Sequence, residues 1–259
     1  MAPLRFAATL AVGAMVGTML IPEAGAQSGE LRILCSNGIR AALQQLTPDI
    51  EKAIGRKLSI EFSTSTGLGK EIEGGAPFDL AIATPVVIEA LAKSGRLVAG
   101  TETVLATADL GVGVKAGSPK TDISTPEGMK RRLLAAKSLT WTIGGASNYA
   151  ILAMFKGLGI EEELKSKIVL QKTSGRPAES VAEGETELMF APASEILAVK
   201  GLEVLGMFPK EFQQPLVMTA AISATSKEAV AAYGVVGFLV STRAMPAITA
   251  AGMTPAPRN

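Results

Sequence analysis

The chain has 259 residues, 47% of them hydrophobic, with a formal net charge of +1, one cysteine and no histidine. That length allows one large α/β domain or two medium ones, and the charge balance argues against nucleic acid or a membrane surface as partner. A single thiol excludes an internal disulfide. The absence of imidazole excludes a Ser-His-Asp triad and removes the commonest zinc ligand, so neither a metal nor a cofactor is expected.

Residues 1–26 read as a secretory signal peptide. Arg5 supplies the positive start, and Ala24, Gly25 and Ala26 supply small residues before a cut at Gln27. The apolar run between them, Phe6 to Ile21, is about 16 residues, short of the roughly 20 that span a bilayer. Cleavage would place the mature chain outside the cytoplasm.

Strands and helices then alternate. "LRILC" (31–35) is a strand, and 39–55 has helical apolar spacing at Ile39, Ala42, Leu43, Leu46, Ile50 and Ile54, with a kink or break expected at Pro48. "LSIEF" (58–62) is a strand, 66–73 a short helix, "FDLAIAT" (78–84) a strand, and 85–95 a helix with Pro at its start and Gly at its end. The rhythm resumes with strands at 109–117, 139–143, 167–171, 187–191, 203–208 and 214–224. The helices between and after them fall at 125–136 (N-capped by Thr125), 147–159, 177–184, 194–199 and 227–241, and the tail "TPAPRN" reads as loosely ordered. This pattern predicts an α/β fold with mostly parallel strands, in two sheets of about five strands linked by two crossings.

In open α/β sheets ligands sit at the carboxyl ends of strands. Four such junctions carry small polar residues: Ser36-Asn37-Gly38, Ser63-Thr64-Ser65-Thr66-Gly67, Gly144-Gly145-Ala146-Ser147-Asn148 and Thr173-Ser174-Gly175-Arg176. Each alone could be simple helix capping. Four of one chemistry, two in each half, point to a neutral cradle of hydroxyls and backbone N–H groups for an oxyanion. Arg176 could add a bidentate contact or be a surface charge.

Other motifs carry less. "GLGK" (67–70) lacks phosphate-loop spacing, and "GVGVKAG" (111–117) does not open a helix. Cys35 reads as a small buried hydrophobe. Glu71 and Asp79 read as a solvated and an orienting carboxylate, and they are the residues an exported hydrolase or isomerase on this fold would use.

The segment "IEGGAPFDL" (72–80) and the ending "KGLEVLGMFP" (200–209) with "PLVMTAAIS" (215–223) resemble the periplasmic molybdate-binding protein family, over about residues 31–252. The resemblance implies a type II Venus-flytrap fold, with two lobes joined by two crossover strands and a ligand held in the cleft. The lobes would be 29–109 plus 214–259, and 110–213. It implies capture of a small molybdate-like oxyanion for an ABC permease, without catalysis. The family's binding positions fall on Ser36, Asn37 and Gly38, on Ser65 within the run that includes Ser63 and Thr64, on Ser147 and Asn148, and on Ser174 and Gly175 beside Arg176. The family's late tyrosine is replaced here by Pro192. The alternatives are a sensing receptor for another small organic anion and the exported enzyme.

Overall fold

The structure is a computed structural model that describes residues 29–257. The signal-peptide reading of residues 1–26 lies outside the described residues.

The first sheet begins with β1 (Leu31–Ser36), β2 (Leu58–Ser63), β3 (Leu80–Ala83) and β4 (Thr103–Ala108). The second takes β5 (Leu110–Lys115), β6 (Leu139–Thr142), β7 (Ile168–Gln171), β8 (Leu188–Pro192) and β9 (Leu202–Met207), and the chain returns to the first through β10 (Leu216–Ile222) and β11 (Thr254–Pro255). The first lobe starts with helices α1 (Arg40–Ile54), α2 (Ser65–Glu73) and α3 (Pro85–Lys93). The second carries α4 (Pro126–Ala135), α5 (Asn148–Leu158), α6 (Glu161–Leu164), α7 (Arg176–Glu183) and α8 (Ala193–Leu197), and α9 (Ala229–Leu239) and α10 (Met245–Ala250) complete the first. Strand order is β11-β4-β10-β3-β1-β2 in one sheet and β7-β6-β8-β5-β9 in the other.

Both faces of each sheet are buried, as the near-continuous apolar strands require. Successive side chains of β1 serve opposite faces. Ile33 and Cys35 join a core with Leu43 and Ile50 of α1 and Val235 of α9, while Leu34 joins Leu68, Ile72, Ile88 and Leu91 of α2 and α3. In the second lobe Val112, Trp141, Phe155 and Phe190 fill one face, and Val181, Met189, Ala191 and Ile196 the other.

The sheets are mixed and not mostly parallel. β1 runs parallel to β2 and β3, and β6 parallel to β7 and β8, but β10 is antiparallel to β3 and β4, and β5 antiparallel to β8 and β9. The reason is the double crossing: β5 and β10 each enter a sheet from the other lobe and so run against the strands begun there. The crossings are tied together. The Gln213 amide donates to the Leu110 carbonyl at 3.1 Å, and its oxygen accepts from the Leu110 N–H at 2.7 Å.

Three local expectations are corrected. The first helix runs through Pro48 without a break, because Ala42, Leu43, Leu46 and Ile50 bury one continuous stripe; that burial offsets the roughly 3 kcal/mol of an interior proline. β4, where the sequence pattern predicts no strand, lies between β10 and the two-residue β11. That same pairing, Thr254 with Thr107 and Pro255 with Ala106, orders part of the tail expected to be loose. None of the helices among the described residues is long and apolar enough to cross a membrane.

Candidate functional site

The carboxyl ends of β1, β2, β6, β7 and β8 face one cleft of about 680 Å³ between the lobes. Ser36, Asn37, Thr64 and Ser65 line it from the first lobe, and Ser147, Asn148, Ser174 and Gly175 from the second. Eight of the sequence-predicted residues are thus brought together from chain segments as distant as Ser36-Asn37 and Ser174-Gly175.

In the first lobe the buried hydroxyls of Ser36 and Ser65 are coupled. Ser65 Oγ donates to Ser36 Oγ at 2.9 Å and accepts from the Thr84 N–H at 3.3 Å. With its acceptor side occupied by Ser65, the Ser36 hydroxyl is left to donate into the cleft. Thr64 is a capping residue: its Oγ1 accepts from the Gly67 N–H at 3.0 Å, at the start of α2. Replacing Ser65 with alanine is expected to weaken ligand binding by about 1–3 kcal/mol, because the Thr84 amide loses its partner and Ser36 loses its orientation. Calorimetry checks this, and an unchanged affinity would remove the pair from the site.

In the second lobe Asn148 is fixed by the indole of Trp141, whose Nε1–H donates to Asn148 Oδ1 at 2.7 Å. Ser147 makes no side-chain capping bond at α5, so its hydroxyl is not committed there. Ser174 Oγ accepts from Asn37 Nδ2 at 2.8 Å, a direct bond between lobes. A second bond crosses deeper, from Ser194 Oγ to the Gly38 carbonyl at 2.8 Å.

Three predicted residues do not line the cleft. Gly38 is buried beneath it, where a Cβ would come within 2.6 Å of Leu216 Cδ2, so glycine serves the approach of β10. Ser63 Oγ donates to the Glu71 carboxylate at 3.3 Å. Arg176 is turned to its own lobe: it ion-pairs with Glu183 at 3.1 Å, with Glu179 at 3.7 Å, and with Glu185. Arg176→Ala is accordingly expected to leave ligand affinity within about twofold, since exposed pairs contribute about 0–1 kcal/mol; a tenfold loss would return it to the site. Asp79 binds the Arg32 N–H at 2.9 Å and the Ser226 hydroxyl at 2.6 Å, at the amino-terminal end of β1, and neither it nor Glu71 reaches the cleft.

The cleft is not purely neutral. Arg40, Glu179, Glu195 and Lys200 also line it. Arg40 Nε and Nη2 both donate to Asn37 Oδ1, at 3.0 and 2.7 Å, and the guanidinium stacks 4.5 Å from the centroid of the Phe62 ring. Among the described residues Arg40 has no carboxylate within ion-pairing distance. A readable signal did mark it: Arg40 is the first residue of α1, the positive end of the helix dipole, where a cation is unfavourable unless an anion joins it. Glu195 gave no such signal, because an acidic residue in a first turn is ordinary. Burial pushes its carboxyl up to about 7, and the positive charge of Arg40 opposes that rise. Among the described residues there is no group of three or more side chains placed to hold a metal ion.

Two α/β lobes, two crossings and a cleft walled by strand-end polar residues define a two-lobed binding protein. The chain belongs to the bacterial extracellular solute-binding protein family, whose sequence model matches residues 31–254. It is 27% identical over 258 residues to an aconitate isomerase from Pseudomonas sp, covering 96% of this chain and 97% of that protein. It is 26% identical over 234 residues to the molybdate-binding protein ModA of Azotobacter vinelandii, covering 88% and 90%. Among solved structures, the periplasmic molybdate-binding protein of Azotobacter vinelandii superposes with a TM-score of 0.75 at 21% identity, covering 88% of this chain and 100% of that one.

Proposed function

We propose that this chain is an exported receptor that captures a small organic polycarboxylate in its cleft and presents it to an ABC permease in the inner membrane. The observation that carries this reading is Arg40. A guanidinium held in the cleft wall by Asn37 and Phe62, with no carboxylate among the described residues within ion-pairing distance, matches a planar carboxylate in bidentate fashion. The uncharged donors from Ser36, Ser147, Asn148 and Ser174 then complete the shell, offsetting the cost of desolvating the anion.

The cleft volume, about 680 Å³, lies within the roughly 300–1,000 Å³ typical of sites for organic ligands. That size and the charged wall favour a polycarboxylate over the molybdate-like oxyanion expected from sequence. The name of the Pseudomonas relative supports a tricarboxylate, and that of the Azotobacter relative an inorganic oxyanion. The lobes, taken as 29–109 with 214–259 and as 110–213, would close about the crossings near Leu110 and Gln213. Export through a cleaved leader at residues 1–26 would place the receptor in the periplasm.

Calorimetry of the purified protein with cis-aconitate, trans-aconitate, citrate and tricarballylate, beside molybdate and sulfate, tests the reading. At least one tricarboxylate is expected to bind well above both inorganic anions. Tight molybdate binding with no tricarboxylate bound would overturn it. Uptake of the labelled ligand, lost on deletion of the gene, tests the permease step.

A further inference from the structure

Glu195 sits on α8, just past the end of β8, in the cleft wall of the second lobe. Arg40 lines the same cleft from the first lobe, and the two attract each other electrostatically. They are nevertheless no ion pair, and among the described residues no donor hydrogen-bonds the Glu195 carboxylate. An anion receptor gains nothing from such a group: ionised, it repels the ligand, and its half-buried place in the cleft wall disfavours the charge. The other charged groups of the cleft do not neutralise it. Glu179, on α7, is a like charge mostly turned to solvent beside Arg176, and Lys200, beyond α8, is exposed and not paired with Glu195.

We propose that Glu195 carries a proton between two carbon atoms of an unsaturated polycarboxylate held by Arg40, so that the protein isomerises the double bond of its ligand. This rests on the polycarboxylate reading above. In a propene tricarboxylate, the CH2 group is allylic to the double bond and adjacent to a carboxylate. The Glu195 carboxylate removes one proton from it, and the C–H electron pair delocalises across the three-carbon unit onto carboxylate oxygen. Arg40 faces that growing charge. The same proton, now on Glu195, is delivered to the carbon that was vinylic. A new C–H bond forms there, the double bond moves to the other carbon pair, and rotation in the delocalised intermediate sets its geometry. Atoms and electrons balance without any oxidant, metal or cofactor. The raised carboxyl suits both halves of the step, because a group that titrates near neutrality can accept and return a proton.

The test is proton NMR of the purified protein with cis-aconitate and with trans-aconitate in deuterated water. Conversion of one isomer to the other is expected, with deuterium appearing at carbon to the extent that the proton on Glu195 exchanges with solvent. Glu195→Gln is expected to slow conversion by about 100-fold or more while calorimetric affinity stays within a few-fold. Glu195→Asp is expected to retain part of the rate, and the wild-type rate should rise with pH through about 7 as the base ionises. Folding of the variant is checked by its melting temperature. A carboxyl raised from 4.5 to about 7 on folding makes the wild type lose stability as pH climbs through that window, so at pH 8 the glutamine variant is expected to be at least as stable. Tricarboxylate binding without conversion would overturn the proposal and leave the receptor reading intact. Conversion by Glu195→Gln at the wild-type rate would overturn the role of Glu195, and failure of every tricarboxylate to bind would remove both readings together.

Discussion

Arg40→Ala is expected to lower affinity for a tricarboxylate by about 10- to 150-fold. That factor corresponds to the roughly 1.5–3 kcal/mol of hydrogen bonds to a charged group. The guanidinium is already oriented before any ligand arrives: Asn37 Oδ1 holds two of its nitrogens, and Phe62 supports its face at 4.5 Å. Little side-chain entropy therefore remains to be lost on binding, and most of the interaction energy reaches the ligand. Arg40→Lys keeps a positive charge but loses the planar fork and the double contact to Asn37, so an intermediate affinity is expected. Affinity should fall with added salt in the wild type and less steeply in the alanine variant. A melting curve separates loss of binding from loss of fold. An alanine variant that binds as tightly as the wild type would remove the observation that favours a polycarboxylate, and the tetrahedral oxyanion would again be the better ligand.

That result bears on what a sequence can disclose about this molecule. The strand-to-helix junctions were readable because their chemistry is local: a short polar run follows an apolar strand, and β-α order alone puts its strand end at the edge of a sheet. Eight of eleven candidate positions accordingly line one cleft. The exceptions have local explanations too. Arg176 reads as an anion ligand or a surface charge, yet Glu179 and Glu183 follow it at three and seven residues, the spacing that places side chains on one helix face. Its neutralisation was written in the sequence beside it. Glu195 is different in kind. Nothing within its own segment distinguishes it from a surface residue, and its environment arises only when α8 meets the turn at Asn37–Ile39, just before α1, across two crossings of the chain. β4 escaped for a related reason: "TVLATA" has an exposed Val104 in place of clean alternation, and it becomes a strand through the partners that flank it, β10 and β11. Local chemistry located the cleft, whereas the charges that set its selectivity depend on long-range assembly.

The second large effect concerns the support under the second lobe's half of the site. Trp141→Ala is expected to destabilise the protein by about 3–5 kcal/mol, the usual cost of deleting a buried aromatic side chain. Trp141 makes edge-on contacts with Phe155 and Phe190, each at 5.9 Å between ring centres, and Phe190 continues the chain of rings to Phe208 at 6.0 Å. Those rings fill the lobe's core between β6, β8 and α5, and alanine would leave a cavity that their mutual packing cannot close. The indole has a second role, because its N–H fixes Asn148 at the first turn of α5. Trp141→Phe separates the two. It keeps an aromatic ring in the core, so a stability loss smaller than that of the alanine variant is expected, but it frees the Asn148 amide to turn. Denaturant unfolding measures the first effect and calorimetry the second. A phenylalanine variant with near-native stability and weakened ligand binding would mean that Trp141 orients a cleft donor as well as filling the core. Native affinity in that variant would mean that Asn148 lines the cleft without contributing to capture.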